Sequence, residues 1–110
     1  MTALPAALFN RWIHSREEDS GEVTVFRPST FAFPPSRGRE GIELREGGEL
    51  LHYRMGATDR PDAVAGRWRV ERDNIIEVDF PTAQLSPYRL EVISVDNEAL
   101  KVRRITTAPR

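Results

Sequence analysis

Gly66-Arg67-Trp68-Arg69-Val70-Glu71-Arg72-Asp73-Asn74-Ile75-Ile76-Glu77-Val78-Asp79-Phe80 is the stretch on which the fold turns. Trp68 and Val70 alternate with Arg67 and Arg69, and after Asn74 the residues Ile76, Val78 and Phe80 alternate with Glu77 and Asp79. Such a period of two marks extended chain with one dry face and one wet face. A three-residue loop, Arg72-Asp73-Asn74 with Asn74 in the left-handed position, pairs Val70 with Ile76 and Trp68 with Val78. The same register sets Arg69 opposite Glu77 and Arg67 opposite Asp79, each pair worth roughly 0.2–1 kcal/mol. A two-residue loop would slide the strands by one and place Val70 against Glu77. The longer loop is expected.

The same alternation runs outward in both directions. It appears at Val23 and Val25, at Ile42 and Leu44, at Leu51, Tyr53 and Met55, at Tyr88, Leu90 and Val92, and at Leu100 and Val102. Gly47-Gly48 reads as a two-residue hairpin turn. It sets Leu44 opposite Leu51 and Ile42 opposite Tyr53, leaving His52 to face solvent. A turn at Asn97-Glu98 pairs Val95 with Leu100 and Ile93 with Val102, and the adjacent Val92 and Ile93 predict a bulge or bend.

Eight strands result, near 11–16, 22–27, 40–46, 49–55, 65–71, 75–80, 88–95 and 99–105, with loops at 28–39 and 56–64. Only Leu4 through Trp12 has room for a helical turn. Eight short strands in sequential hairpins predict an all-β, antiparallel, up-and-down eight-stranded barrel, a closure that leaves no open edge. Residues 1–110 make one domain.

Composition narrows the function. Net charge is −1, from 16 basic and 17 acidic residues, which supplies no field for steering toward nucleic acid or an anionic membrane. Cysteine is absent, which removes disulfides, thiol nucleophiles and thiolate metal sites. The start, Met1 to Phe9, has no basic residue and its apolar run is broken by Pro5, so no secretory signal is read there. No segment approaches the ~18 apolar residues of a membrane span. A cytoplasmic location is expected, with neither nucleic acid nor membrane as a partner.

An early Trp12 after Leu8-Phe9-Asn10-Arg11, the short strands, and Arg103-Arg104 on the last strand give a layout that resembles the small lipocalin-like members of the calycin superfamily. The resemblance spans nearly the whole chain. Those proteins usually carry a glycine two residues before the tryptophan, where this chain has Asn10; its Gly-X-Trp stands later, as Gly66-Arg67-Trp68. The resemblance implies a barrel able to hold a small apolar ligand. It also implies that Arg103 or Arg104 packs over Trp12 to close the base.

The expected interior is Val25, Leu44, Tyr53, Met55, Trp68, Val70, Val78 and Tyr88. A barrel of eight strands is wide enough either to fill with side chains or to hold one small ligand. Tyr53, Met55, Trp68 and Tyr88 are the ligand candidates there. Arg37 and Arg39, beside Pro34-Pro35, join them as a clamp for a carboxylate or phosphate, unless they simply pair with Glu40 or Glu43. Thr58-Asp59-Arg60-Pro61-Asp62 reads as a turn, and the two loops are expected to share one rim.

Two histidines, His14 and His52, on different strands give no metal set. No catalytic motif or phosphate-cradling loop is present, so neither a catalytic residue nor a cofactor is assigned. The leading expectation is a barrel that binds an apolar or amphipathic small molecule. The alternatives are a solid barrel meeting a protein partner through the 28–39 loop and, last, an enzyme enclosing its substrate. The sequence leaves a homo-oligomer open.

Overall fold

The structure, a computed structural model, describes residues 5–34, 39–55, 61–81 and 86–105, with only the backbone of residues 54, 55, 61 and 62. The strands are β1 (Arg11–His14), β2 (Val23–Pro28), β3 (Gly41–Leu44), β4 (Glu49–Met55), β5 (Pro61–Arg72), β6 (Ile75–Asp79), β7 (Tyr88–Val95) and β8 (Leu100–Ile105). All neighbours are antiparallel and the sheet closes on itself. The alternation is thus satisfied by an all-β, eight-stranded antiparallel barrel. No helix among the described residues is long and apolar enough to cross a membrane.

From β3 to β8 the strands follow one another around the wall. At the seam the first two exchange seats: β2 meets β8, and β1 lies between β2 and β3. Both β2 and β3 therefore run opposite to β1. The chain that leaves β2 at one end must enter β3 at the other, crossing outside β1. This changes the expectation of two loops sharing one rim: the connection starts at the opposite end, and among its described residues Arg39 and Glu40 reach the end of the barrel at which β4 finishes. Residues 56–60 lie outside the described residues, and β5 already begins at Pro61.

β5 and β6 pair as the charges demand, Trp68 with Val78, Arg69 with Glu77, Arg67 with Asp79 and Val70 with Ile76. Arg69 Nε donates to Glu77 Oε1 at 2.7 Å. The turn is tighter than expected. Arg72 faces Ile75, so Asp73-Asn74 alone make the loop, and a bulge at Glu71 restores the register. Asp73, rather than Asn74, takes the left-handed backbone, with φ 45°. At the next hairpin Val95 faces Leu100, but Val92 rather than Ile93 faces Val102. The bulge lies between Val92 and Ser94 and turns Ile93 out to 46% exposure.

At β3–β4 the expected register is wrong by one residue. Leu44 faces Leu50 and Ile42 faces His52. Arg45 N–H donates to Glu49 O at 2.9 Å and Gly48 N–H donates to Arg45 O at 3.0 Å. Gly48 alone of the two glycines has positive φ, +93°. This is a three-residue loop with a glycine bulge rather than a two-residue turn. A slip of one residue carries every side chain to the opposite face. Tyr53 accordingly stands on the outer wall, where its hydroxyl donates to Glu43 Oε1 at 2.8 Å and Arg11 lies 4.5 Å over its ring. Tyr53 holds Glu43 ionised by that hydrogen bond, with Arg45 adding to it.

The interior is dry at one end. Leu8, Trp12, Leu44, Leu50, Ile76, Val78, Leu100 and Val102 are at most 2% exposed. A 3₁₀ turn at Ala6–Leu8 seals that base: Trp12 Nε1 donates to Leu8 O at 3.0 Å, and Phe9 packs 5.8 Å from Trp68. The arginine implied over Trp12 is not there. Arg103 pairs with Glu91 on the outer wall, and Arg104 lies over Tyr88 at the opposite end of the barrel. The exchange at the seam explains this, since β8 borders β2 and not β1.

Val25, expected inside, is buried on the outer face where residues 15–19 fold back: Ser15 N–H donates to Val25 O at 2.8 Å, and Val25 N–H to Asp19 Oδ1 at 2.9 Å. Phe31 and Phe33 neither plug the barrel nor stand free. Their rings meet edge-on at 4.9 Å, with Arg27 4.8 Å over the first and Arg39 4.8 Å over the second. Each arginine forks onto a carboxylate, Arg27 on Glu18 and Arg39 on Glu17. These bonds draw both carboxyls down to about 2, with Ser15 helping at Glu18.

Candidate functional site

The cavity opens at the end opposite Trp12, and its walls come from strand ends gathered by the barrel. β1 brings His14, β2 brings Thr24 and Phe26, β3 brings Ile42 with Glu40 just before it, and β4 brings His52. β7 adds Tyr88 and Leu90, and β8 adds Val102 and Arg104. All of these share the inward parity fixed by Thr24↔Val102, Ile42↔His52 and Leu90↔Arg104. The cavity holds about 240 Å³.

Gly41 lies in the wall. Gly66 faces inward opposite Leu50, and a Cβ there would sit 2.7 Å from Phe80 Cδ1. Phe80 fills that gap and is 6% exposed. Its ring meets His52 edge-on at 5.8 Å and Tyr88 at 6.0 Å. His52 is thus held between two aromatic rings.

The polar side chains of the lining are His14, Thr24, Glu40, His52, Tyr88 and Arg104. His52 Nδ1 lies 3.1 Å from the Tyr88 hydroxyl. With Nδ1 bare the hydroxyl donates to it; with Nδ1 protonated the imidazole donates and the hydroxyl proton is free for a ligand. Burial pushes the Tyr88 hydroxyl up to about 12, against the pull of Arg104, so it remains a donor at neutral pH. Arg104 sits with its guanidinium carbon 4.7 Å over the Tyr88 ring. His14 Nε2 lies 2.8 Å from Asp19 Oδ2, its ring 5.6 Å from Phe26. Among the described residues no group of three or more His, Asp or Glu side chains is arranged to hold a metal ion.

Of the ligand candidates read from the sequence whose side chains are described, Tyr88 alone lines this cavity. Trp68 faces inward at the sealed base, its Nε1 donating to Arg45 O at 2.9 Å. Val70 has inward register but is 44% exposed near that base. Tyr53 is outside, by the register slip. The Met55 side chain and all of Arg37 lie outside the described residues. Arg39 is taken up structurally: it donates to His14 O and Pro34 O, both at 3.1 Å, besides Glu17, and its side chain is 8% exposed. Glu17, rather than Glu40 or Glu43, is its partner.

The residues missed were His14, Phe26, His52 and Arg104. One signal for His52 was present: Leu50 as well as Leu51 is apolar, so β4 could be phased either way. Compared with protein-family models, with curated proteins and with solved structures, the chain matches none.

Proposed function

We propose that this chain is a small-molecule binding barrel whose cup, between Phe26, Ile42, Leu90 and Val102, takes one compact amphipathic ligand. The observation that carries the reading is a cavity of about 240 Å³ in a barrel sealed at its other end. An apolar cavity of roughly 150 Å³ accommodates benzene, so one substituted ring or a short branched chain matches this volume. Mostly apolar walls with a few convergent polar groups are the usual make-up of such sites. The closed eight-stranded barrel agrees in outline with the ligand-holding barrel that the lipocalin-like resemblance implies, although the strand order at the seam and the placing of Arg104 away from Trp12 do not. The alternative, a solid barrel meeting a partner through residues 28–39, has less support, because the barrel is not solid. One face of each of Phe31 and Phe33 is also already met by an arginine, although Phe31 stays 37% exposed.

The test is a panel of single-ring and short-chain compounds, scored by thermal shift and then by calorimetry. A compound at a hundredfold excess over its Kd stabilises the folded chain by about 2.7 kcal/mol. Thr24→Trp, which fills the cup from the β2 wall, is expected to keep the circular dichroism spectrum and abolish the shift. A panel with no binder, or binders unaffected by Thr24→Trp, would exclude the cup as the site.

A further inference from the structure

We propose that the ligand of this cup is a monoanion, an apolar body bearing one carboxylate, with the carboxylate held at the mouth by Arg104 and the Tyr88 hydroxyl. The proposal rests on the cup being the ligand site and adds the charge of what enters it.

The contrast between neighbours on β8 carries it. Arg103 points outward and pairs with Glu91. Arg104 points inward, opposite Leu90, at the lip of the cavity. On the outer surface Arg27, Arg39, Arg45, Arg69 and Arg89 likewise meet carboxylates, while Arg11 lies over Tyr53 with no carboxylate within ion-pair distance among the described residues. Arg104 meets none: among the described residues no carboxylate lies within ion-pair distance of it, and its guanidinium lies over the face of Tyr88. A guanidinium laid on an aromatic ring keeps its edge free, and that edge is the fork that fits a carboxylate. Tyr88, the ring beneath that guanidinium, adds an O–H in the cavity wall, released for a ligand when His52 Nδ1 donates to it.

The remaining charges set the valence. Glu40 faces the same mouth from the β3 side and forms no ion pair with Arg104 among the described residues. Its charge opposes any anion held beside Tyr88 and opposes a dianion about twice as strongly, which favours a single charge over a dianionic phosphate. Asp19 is engaged by His14 and by Val25 N–H. The walls below are Phe26, Ile42, Leu90 and Val102, so the body of the ligand is apolar.

Calorimetry with four probes on one ring size tests this: phenylacetate, phenylacetamide, phenethylamine and phenylalanine. Phenylacetate is expected to bind about tenfold more tightly than the neutral amide, as a hydrogen bond to an ionised partner outweighs a neutral one. Arg104→Gln should erase that preference, whereas Arg103→Gln should preserve it. An amide that binds as well as the acid overturns the charge assignment and leaves the cup standing. So does an acid preference that survives Arg104→Gln, or tightest binding by the amine or the zwitterion, which would point to Glu40. Binding by none of the four, while the wider panel finds a compound sensitive to Thr24→Trp, overturns the monoanion alone; a wider panel with no such compound removes the cup as well. The comparison on the unmutated chain needs no variant to fold.

Discussion

Trp12→Ala is expected to lower the unfolding free energy by about 3–5 kcal/mol, the usual cost of deleting a fully buried indole. The ring is 0% exposed, and its Nε1–H is satisfied by Leu8 O at 3.0 Å. Its loss opens a cavity at the base and frees the Ala6–Leu8 turn that covers it. Leu8, also 0% exposed, would lose a neighbour. Net stabilities of domains lie near 5–15 kcal/mol, so the variant should be poised close to unfolding. Urea denaturation followed by circular dichroism measures this. Trp12→Phe, which keeps a ring but loses the hydrogen bond, should fall between the two. An unchanged midpoint for Trp12→Ala would mean that the ring does not close the base.

Gly41→Ala is the second large effect, expected at about 1–3 kcal/mol of destabilisation. Gly41 stands in β3 beside β1, and a Cβ there would lie 2.5 Å from the Trp12 carbonyl oxygen and 3.1 Å from Ile13 Cδ1. The near atom is backbone, held in a closed ring of strands, so it cannot swing aside as a side-chain tip would. The entropy gained by replacing glycine offsets only about 0.5–1 kcal/mol. Gly47→Ala is the matched control: nothing lies within 4 Å and its φ is not positive. It should be neutral or slightly stabilising. Equal melting temperatures for the two variants would show that β1 and β3 are not packed side by side.

The sequence carried most of the wall. Charge pairing at Arg69 and Glu77 fixed β5–β6, because the competing register buried an apolar side chain against a carboxylate. Val92-Ile93 marked the bulge in β7 because two adjacent apolar residues cannot both face inward on a regular strand. Where two phases were equally apolar, local pattern ran out. Leu50 and His52 lost to Leu51, Tyr53 and Met55 when only hydrophobicity was weighed. The structure reverses that choice with partners far away in sequence, Tyr88 and Phe80 around His52, and Arg11 and Glu43 around Tyr53. The exchange of β1 and β2 at the seam was equally hidden. Inward Trp12 and Phe26 suit either order, and only the partner that β8 selects distinguishes them. The cup inherits both effects, since His52 comes from β4 and Arg104 from β8.

Proton–proton nuclear Overhauser contacts of the His52 ring are the most direct check on this arrangement. With β4 in the register found here, the His52 ring protons should show contacts to the rings of both Tyr88 and Phe80, and the Tyr53 ring to the Arg11 side chain. Contacts from Tyr53 to Tyr88 or Phe80, with none from His52, would place the other face of β4 inside. The cup would then lose the histidine on which its mouth is built.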